Sequence, residues 1–199
     1  GVKAPSKTPL FYRVGVSRLS TADAIEVIGD GSSGEVEYVL LNHGGRIWVG
    51  AGSDHTDRVV EHMGITVAKQ LCDKPVATEF WPLDEVEPHW DQLRLRSVIV
   101  EKGAEVVYQD GGVAGLISPR ELLAKLAEEG GELAEGVLMF GGTCGAIGSV
   151  RLAPTRLANV TVSPMGECPQ PSCPGYSSSV YWQSWIRRSA SRARLKPEI

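Results

Sequence analysis

The chain has 199 residues, of which 42% are hydrophobic and 22% are charged, so it can bury a core of ordinary size. It contains no run of about 18 apolar residues that could span a membrane and no signal peptide, so we expect a cytoplasmic protein without membrane contacts. Residues 1–150 carry 13 Lys and Arg against 22 Asp and Glu. This acidic balance argues against nucleic-acid binding.

The first half of the chain predicts a hairpin followed by a helix. Alternation predicts a short strand at Ala24–Ile28, and "EVEYVLL" and "RIWVGAG" predict two strands that pair around "NHGG". The next segment predicts a helix that begins near Asp54 or Thr56 and ends before Pro75, although Gly64 weakens its middle. The apolar stripe of this helix consists of Val60, Met63, Val67 and Leu71.

The second half predicts further strands and the clearest helix. The segments "LRLRSVIVE" and "AEVVYQ" predict two strands. In "SPRELLAKLAEEGG", Ser118 is the predicted N-cap, Pro119 takes the first helical position, Glu121 completes a capping box and Gly130 ends the helix. The segment "GVLMFGGTCGAIGSV" predicts a buried strand that leads into a glycine-rich loop. Strands outnumber helices among the predicted elements.

The composition changes after about Pro154. Residues 155–199 are rich in Pro, Ser and Arg and show neither alternation nor a useful helical stripe. We therefore expect one domain over residues 1–154 and a tail of uncertain structure over residues 155–199. Because the sequence opens at Gly1 rather than at Met, we also expect that the natural protein begins further upstream.

Glu35 and Glu37, in "GEVEYVL", form the first candidate site. Residues two apart in a strand project from one face with Cα atoms roughly 6.5–7 Å apart, so these carboxylates can lean together. Two anions this close either bind a cation or have raised pKa values. The alternative is that both glutamates face water while Val36 and Tyr38 face the core. From the spacing alone, this alternative is favoured.

The segment "SDHTDR" adds two carboxylates, Asp54 and Asp57, after the second predicted strand. An aspartate here, together with Glu35 and Glu37, would make a three-carboxylate site for a hard cation such as Mg²⁺, Mn²⁺ or Ca²⁺. The alternative is that Asp54 caps the predicted helix and Asp57 occupies its first turn. Taken alone, the capping alternative is favoured.

Two lysines, Lys69 and Lys74, follow in "AKQLCDKP". A lysine near a helix C-terminus usually complements the helix dipole, and this interpretation is favoured. In the functional alternative, such a cation binds a carboxylate or enolate oxygen of a substrate. The later segment "GGTCGAIG" lets a ligand approach the backbone but lacks the Lys of a P-loop, so we predict no nucleotide site.

In their order along the chain, these segments resemble the catalytic domain of the fumarylacetoacetate hydrolase superfamily. That superfamily has a Glu-x-Glu strand, an Asn-Asp segment, a Lys-Ser-Phe-Asp segment, a Gln-bearing strand before a helix and a closing Gly-Thr-Pro loop. The counterparts here are "GEVEYVL", "SDHTDR", "AKQLCDKP", "VYQDGGVAGLISPRELLAKL" and "GVLMFGGTCGAIG". More closely, "PSKTPLFYRV", "KQLCDKPVA" and "HWDQLRLRS" look like the bacterial family called domain of unknown function 2848.

The resemblance covers roughly residues 1–150 and implies a β-rich α+β fold with two main helices. In that fold a mixed β-sheet is rolled upon itself around a divalent cation, commonly Mg²⁺, Mn²⁺ or Ca²⁺. It implies Glu35, Glu37 and Asp54 as the metal ligands. The gap between Glu37 and Asp54 is shorter than is usual in the superfamily, so Asp57 remains an alternative third ligand.

The resemblance also implies residues that contact substrate. Lys69 corresponds to the substrate-contacting lysine, Gln109 to the pocket-lining glutamine and Thr143 to the threonine of the closing loop. Arg58 corresponds to the Arg of the Asn-Asp segment. Cys144 stands where the closing loop of the superfamily has Pro.

The activity implied is that of a metal-dependent enzyme acting on a small oxo-acid or 1,3-dicarbonyl. The reaction would be C–C bond hydrolysis, decarboxylation or isomerisation through a metal-stabilised enolate, and the protein is expected to be a homodimer. The alternative is a non-catalytic dimeric binding or structural domain, such as an inactive truncated family member, whose Glu and Asp residues are surface carboxylates.

Overall fold

The computed structural model describes residues 8–22, 24–152, 156–164 and 178–181, the last two ranges by their backbone pairing. The strands are β1 Leu19–Ser20, β2 Ser32–Ser33, β3 Val36–His43, β4 Arg46–Ser53, β5 Thr56–Asp57, β6 Lys74–Pro75, β7 Trp81–Pro82, β8 Leu93–Glu101, β9 Ala104–Gly112, β10 Leu138–Thr143, β11 Arg156–Pro164 and β12 Ser178–Tyr181. The α-helices are α1 Ile65–Gln70, α2 Leu83–Val86 and α3 Pro119–Glu128. Short 3₁₀ helices lie at Val16–Arg18, Val60–His62, Glu87–Gln92 and Val113–Gly115.

The first four-stranded sheet has the order β10-β3-β4-β7 and is antiparallel throughout. Its central pair is the predicted hairpin, which is confirmed. Gly44 and Gly45 make the two-residue turn with φ values of +61° and +71°, a region that glycine enters without steric cost. The turn sets the register, so that Val36 lies opposite Ser53 at the far end of the hairpin.

The second four-stranded sheet has the order β12-β11-β8-β9 and is also antiparallel. The segments "LRLRSVIVE" and "AEVVYQ" form β8 and β9, as predicted. The third strand, β11, lies in the stretch to which the sequence assigned no element. It pairs with β8 from Arg156 opposite Val100 to Pro164 opposite Leu93. The two short pairs are β1 with β6, which is parallel, and β2 with β5.

The hydrophobic core joins the two large sheets. It includes Val36, Tyr38 and Leu40 from β3 and Leu93, Leu95 and Ile99 from β8. Trp90 packs its ring edge-on against Tyr38, with ring centroids 5.0 Å apart. On the opposite face of β3, Glu37 and Val39 are also buried. Because β3 is covered on both faces, Glu37 does not face water.

The predicted helix at "SPRELLAKLAEEGG" is confirmed as α3. The Ser118 hydroxyl accepts a hydrogen bond from the backbone N–H of Glu121 at 3.4 Å, which caps the helix as predicted. Gly130 lies just beyond the helix with φ +74°. The sequence-local signals at both ends therefore correspond to the observed ends.

Two predicted elements are wrong. Residues 24–28 form no strand, although Ile25 packs against the core. The helix predicted from Asp54 or Thr56 to Pro75 is also wrong, because Thr56 pairs within β5 and α1 spans only six residues after Gly64. The apolar stripe does not face the core: the exposed fraction of Met63 is 86%, whereas Ala68 is fully buried.

The strand-rich α+β fold is confirmed, and the described strands do not close into a barrel. Within the same residues, no helix combines the length and apolar character that a membrane crossing needs.

Candidate metal centre

Three carboxylates meet where the β3–β4 hairpin ends. Glu35 immediately precedes β3, Glu37 lies within it and Asp54 follows β4. The backbone N–H of Asp54 donates to the carbonyl of Glu35 at 2.9 Å, which continues the hairpin by one more pair. One carboxylate oxygen from each residue lies within 4.8 Å of the others. We call Glu35, Glu37 and Asp54 the acidic cluster.

Asp57, the alternative third ligand, serves a different purpose. Its Oδ1 accepts hydrogen bonds from the backbone N–H groups of Val59 at 2.9 Å and Val60 at 3.0 Å. It therefore caps the 3₁₀ turn, as a side chain at the start of a helical turn commonly does. Of the two candidate aspartates, Asp54 is the one in the acidic cluster.

Three cations contact two of the three carboxylates. Arg58 lies 3.0 Å from Glu35, and Lys69 lies 3.7 Å from the same carboxylate. Lys69 also forms an ion pair with Asp54 Oδ2, and Lys74 Nζ lies 3.2 Å from Asp54 Oδ1. The side chain of Lys69 is 14% exposed, whereas that of Lys74 is 1% exposed. The two lysines therefore approach Asp54 from environments that differ in their access to solvent.

The cations also have altered pKa values. Burial alone would lower the pKa of Lys69, but the carboxylates of Asp54 and Glu35 outweigh it, so the pKa is raised. For Lys74, burial is the stronger influence and the pKa is lowered despite the attraction of Asp54. Lys69 is thus held as an ammonium group on the more accessible side of the cluster.

Glu37 forms no ion pair with a Lys, Arg or His of the described residues. Its Oε2 accepts a hydrogen bond from the backbone N–H of Gly142 at 2.8 Å. The φ of Gly142 is +107°, which L side chains rarely adopt, so glycine is needed to aim this N–H. Burial, followed by the charges of Asp54 and Glu35, raises the pKa of Glu37 well above its usual value. A bound cation would relieve both effects.

A divalent cation fits these residues. Asp54 Oδ1 is buried and accepts no hydrogen bond, although Lys74 is near, so it retains capacity for a ligand. Glu37 is buried beside two other anions. An all-carboxylate set of oxygens is the kind that Mg²⁺, Mn²⁺ or Ca²⁺ prefers.

Gln109 and Thr143 lie next to the cluster and bond to the protein itself. The Gln109 carbonyl accepts from the backbone N–H of Val36 and the hydroxyl of Ser97, both at 3.0 Å. Its amide donates to Thr143 Oγ1 at 2.8 Å and to the carbonyl of Cys144 at 2.7 Å. The Thr143 hydroxyl donates to the carbonyl of Val36 at 2.7 Å. Both side chains bond to the backbone of Val36, the residue between Glu35 and Glu37, and so connect this part of β3 to the loop after β10.

Sequence reasoning gave no role to His55, which lies between Asp54 and Thr56. Its Nδ1 lies 3.0 Å from the hydroxyl of Ser53. Burial, aided by the charge of Lys74, lowers the pKa of His55 to about 4, so the ring is neutral at pH 7. Its position between the candidate ligands Asp54 and Asp57 was the available sequence signal for a role at the site. The predicted helix favoured capping roles for this segment instead.

Lys74 does not lie in the last turn of a helix, so the interpretation that it complements a helix dipole does not apply to it. It begins β6 and pairs in parallel with Leu19. The following residue, Pro75, was the available signal, since a residue before proline favours extended backbone. The burial of Lys74 came from this strand pairing and was not visible in the hydrophobic pattern.

The fold is similar to that of several solved structures. One is 2-keto-3-deoxy-D-arabinonate dehydratase complexed with magnesium and 2,5-dioxopentanoate, with a TM-score of 0.61, 15% identity and coverage of 87% of this chain and 61% of that chain. Its apo form gives a TM-score of 0.63, 16% identity, and coverage of 93% and 64%. Cg1458 with an inhibitor gives 0.61, 11% identity, and coverage of 82% and 62%. The chain thus spans less than two thirds of these relatives, and at such identities the likeness is one of fold.

Residues 1–157 match the model of the family described as "Protein of unknown function (DUF2848)", and the chain belongs to that family. The matched solved structures have the fold that the resemblance to the fumarylacetoacetate hydrolase superfamily implies. A search of the curated proteins found no match. The family named in the sequence resemblance is therefore confirmed.

Proposed function

We propose that the protein is a divalent-cation-dependent enzyme that acts on a small oxo-acid or 1,3-dicarbonyl. The observation that carries the proposal is the convergence of three largely buried carboxylates, two of them below 10% exposed, beside the ammonium group of Lys69. One solved relative, a dehydratase complexed with magnesium and 2,5-dioxopentanoate, supports a site of this kind in this fold.

In this proposal Glu35, Glu37 and Asp54 hold the cation. A bound divalent cation supplies Lewis-acid chemistry, since it polarises the oxygens of a ligand and stabilises negative charge on them. Gly142 keeps Glu37 directed into the site through its N–H. Arg58 holds Glu35 through an ion pair at 3.0 Å, so the ligand residues are oriented before any substrate binds.

Lys69 is proposed to bind the substrate. It is the accessible ammonium group of the site, and its charge would neutralise a carboxylate or an enolate oxygen. The sequence resemblance implies that Thr143 and Gln109 line the substrate pocket. We propose that they do so on the side formed by the loop after β10, to which the Gln109 amide is bonded. This arrangement is compatible with C–C bond hydrolysis, decarboxylation or isomerisation, and with the loss of water that the relative's name describes.

The experiment is calorimetric titration of the chelator-treated protein with MgCl₂ and MnCl₂. Glu35→Gln/Glu37→Gln removes two ligand charges with little change of shape, and we expect it to abolish binding. The control is Glu128→Gln/Glu132→Gln, which removes the same charge at exposed positions and should leave binding intact. The proposal is wrong if the wild type binds neither ion, or if the cluster variant binds as well as the control.

We also propose that the enzyme is a cytoplasmic homodimer. Exposed apolar side chains support an interface between two copies of the chain. The exposed fractions of Val16, Met63 and Val67 are 81%, 86% and 55%. Light scattering should give twice the chain mass of 21.4 kDa. A monomer at micromolar concentration would contradict the dimer and leave the cation proposal untouched.

A further inference from the structure

Lys74 is a buried cation that the proposed chemistry does not use. Its side chain is 1% exposed, and a buried ammonium group is strongly unfavourable unless it is paired and hydrogen-bonded. Its Nζ donates to the backbone carbonyl of His55 and to that of Cys72 at 3.3 Å, and lies 3.2 Å from Asp54 Oδ1. All of its acceptors belong to the segments that surround Asp54.

These contacts fix Asp54 from two directions. His55 is the residue after Asp54, so the bond to its carbonyl holds the backbone that carries the ligand. Because Lys74 lies in the segment after α1, the same bond ties that backbone to this segment, and the local bond to the Cys72 carbonyl holds the Lys74 side chain in place. The ion pair restrains the carboxylate itself. Lys69 differs, because its Nζ lies among Asp54 Oδ2, Glu35 Oε2 and Thr56 Oγ1, which are side-chain oxygens at the cluster.

We propose that Lys74 is a positioning residue that holds Asp54 in the acidic cluster, so that the two lysines on this carboxylate affect cation binding in opposite directions. Simple electrostatics predicts that removing either positive charge strengthens the binding of a divalent cation. If Lys74 acts by position, its removal weakens binding instead. The inference rests on the proposed cation site, but it concerns residues of this chain alone.

The test is the calorimetric dissociation constant for Mn²⁺, measured on chelator-treated full-length chains. We expect Lys74→Met to raise this constant by roughly 10- to 100-fold, the usual effect of removing a group that orients a metal ligand. Lys69→Met removes the same charge from the same carboxylate, and we expect it to bind Mn²⁺ at least as tightly as the wild type. Lys125→Met, at a partly exposed position of α3 where the lysine pairs with Glu121, is the matched control and should bind like the wild type.

The variant Leu122→Ala tests whether a general loss of stability, rather than a displaced Asp54, is enough to weaken Mn²⁺ binding. Leu122 belongs to the core cluster on the Tyr38 face of β3, whereas Glu37 projects from the opposite face, so this variant loses stability without losing Mn²⁺ affinity. If Lys74→Met does not fold, Lys74→Gln decides, since it keeps an N–H donor and removes the charge.

The outcomes separate this inference from the function. A wild type that binds no Mn²⁺ would contradict the proposed cation site itself. If the wild type binds, the proposal for Lys74 is overturned by unchanged or tighter binding in the deciding variant, by equal weakening in Lys69→Met, or by failure of both Lys74 variants to fold. The last result would assign Lys74 to the fold alone.

Discussion

The ionisation of a carboxylate in this protein follows from its position rather than from its residue type. Glu37 has a strongly raised pKa because it is buried beside two anions and is bonded to a single backbone N–H. Glu135, an exposed carboxylate, has a lowered pKa because the N–H groups of Gly44 and Gly45 and the ring of His43 stabilise its charge. Neither state is visible in the composition.

The lowered pKa of His55 predicts a measurable pH dependence of the free energy of unfolding. The folded protein keeps its pKa at about 4, below the ordinary 6.5, so the unfolded chain binds a proton between these values that the folded protein does not bind. The stability that His55 contributes is complete above about pH 6.5 and is lost as the pH falls towards 4. In EDTA, we expect His55→Gln to lose about 2 to 3 kcal/mol less unfolding free energy than the wild type between pH 7 and pH 4.

Urea unfolding at a series of pH values measures this difference. Comparing variant with wild type at each pH cancels the contribution of Glu37, which has the opposite sign because its pKa is raised. His89→Gln, at an exposed position, is the matched control. Identical slopes for wild type and His55→Gln would show that the ring takes up its proton at the same pH in the folded protein as in the unfolded chain, so that burial does not lower its pKa.

The strands that form the site are held together by close backbone approach. β10 reaches β3 where Gly141 lies over the ring of Tyr38, and a Cβ at Gly141 would come within 2.0 Å of the Tyr38 ring. The Tyr38 hydroxyl donates to the carbonyl of Ile117 at 2.7 Å, so the ring cannot easily move away. This contact places Gly142 and Thr143, which follow directly, beside Glu37.

We therefore expect Gly141→Ala to lower the free energy of unfolding by about 1–3 kcal/mol or more, as overpacking of a fixed core does. Gly145→Ala is the control, since a Cβ there meets no atom within 4 Å and should change stability by less than about 0.5 kcal/mol. Urea denaturation of both variants checks this. Equal stabilities would mean that β10 moves away from Tyr38 without cost.

At the scale of the whole molecule, one strand lies beyond the expected domain end. β11 lies within the segment expected to be a tail, and it pairs along one edge of β8 from Leu93 to Val100. Without β11, the backbone N–H and C=O groups of β8 would form an open edge, which is a template for association. The expected boundary at residue 154 is thus open to a direct test by truncation.

We expect a chain that ends at Leu152 to unfold at a lower urea concentration than the full chain and to associate on size-exclusion chromatography. A chain that ends at Pro164 keeps β11 and serves as the control. If the chain ending at Leu152 matches the full chain in both measurements, the edge of β8 needs no partner, which would support a domain that ends at residue 154.

Several elements were predictable because their causes are local. The "NHGG" turn requires two residues with positive φ, and Gly44 and Gly45 adopt them. The cap of α3 needs only Ser118 and the N–H of Glu121. The family resemblance brought Glu35, Glu37 and Asp54 forward as a set, although spacing alone favoured solvent exposure for the two glutamates.

Other features depended on contacts between distant segments. Local propensity favoured a long helix through Thr56, but pairing of β5 with β2 removes that residue from any helix. Asp54 and Asp57 are equivalent as residues, and only the hairpin register and the 3₁₀ turn assign one to the cluster and the other to a cap. The family resemblance favoured Asp54, but residue type and local spacing alone do not distinguish the two.

Short-range rules therefore account for the turn, the cap and the individual strands β3, β4, β8 and β9, because each depends on the conformational preferences of a few adjacent residues. The tertiary structure alone decided that β3 is covered on both faces, that Lys74 lies beneath Asp54 and that Lys69 remains accessible. Burial of a charge depends on which remote segments displace water from it, and adjacent residues carry no record of that.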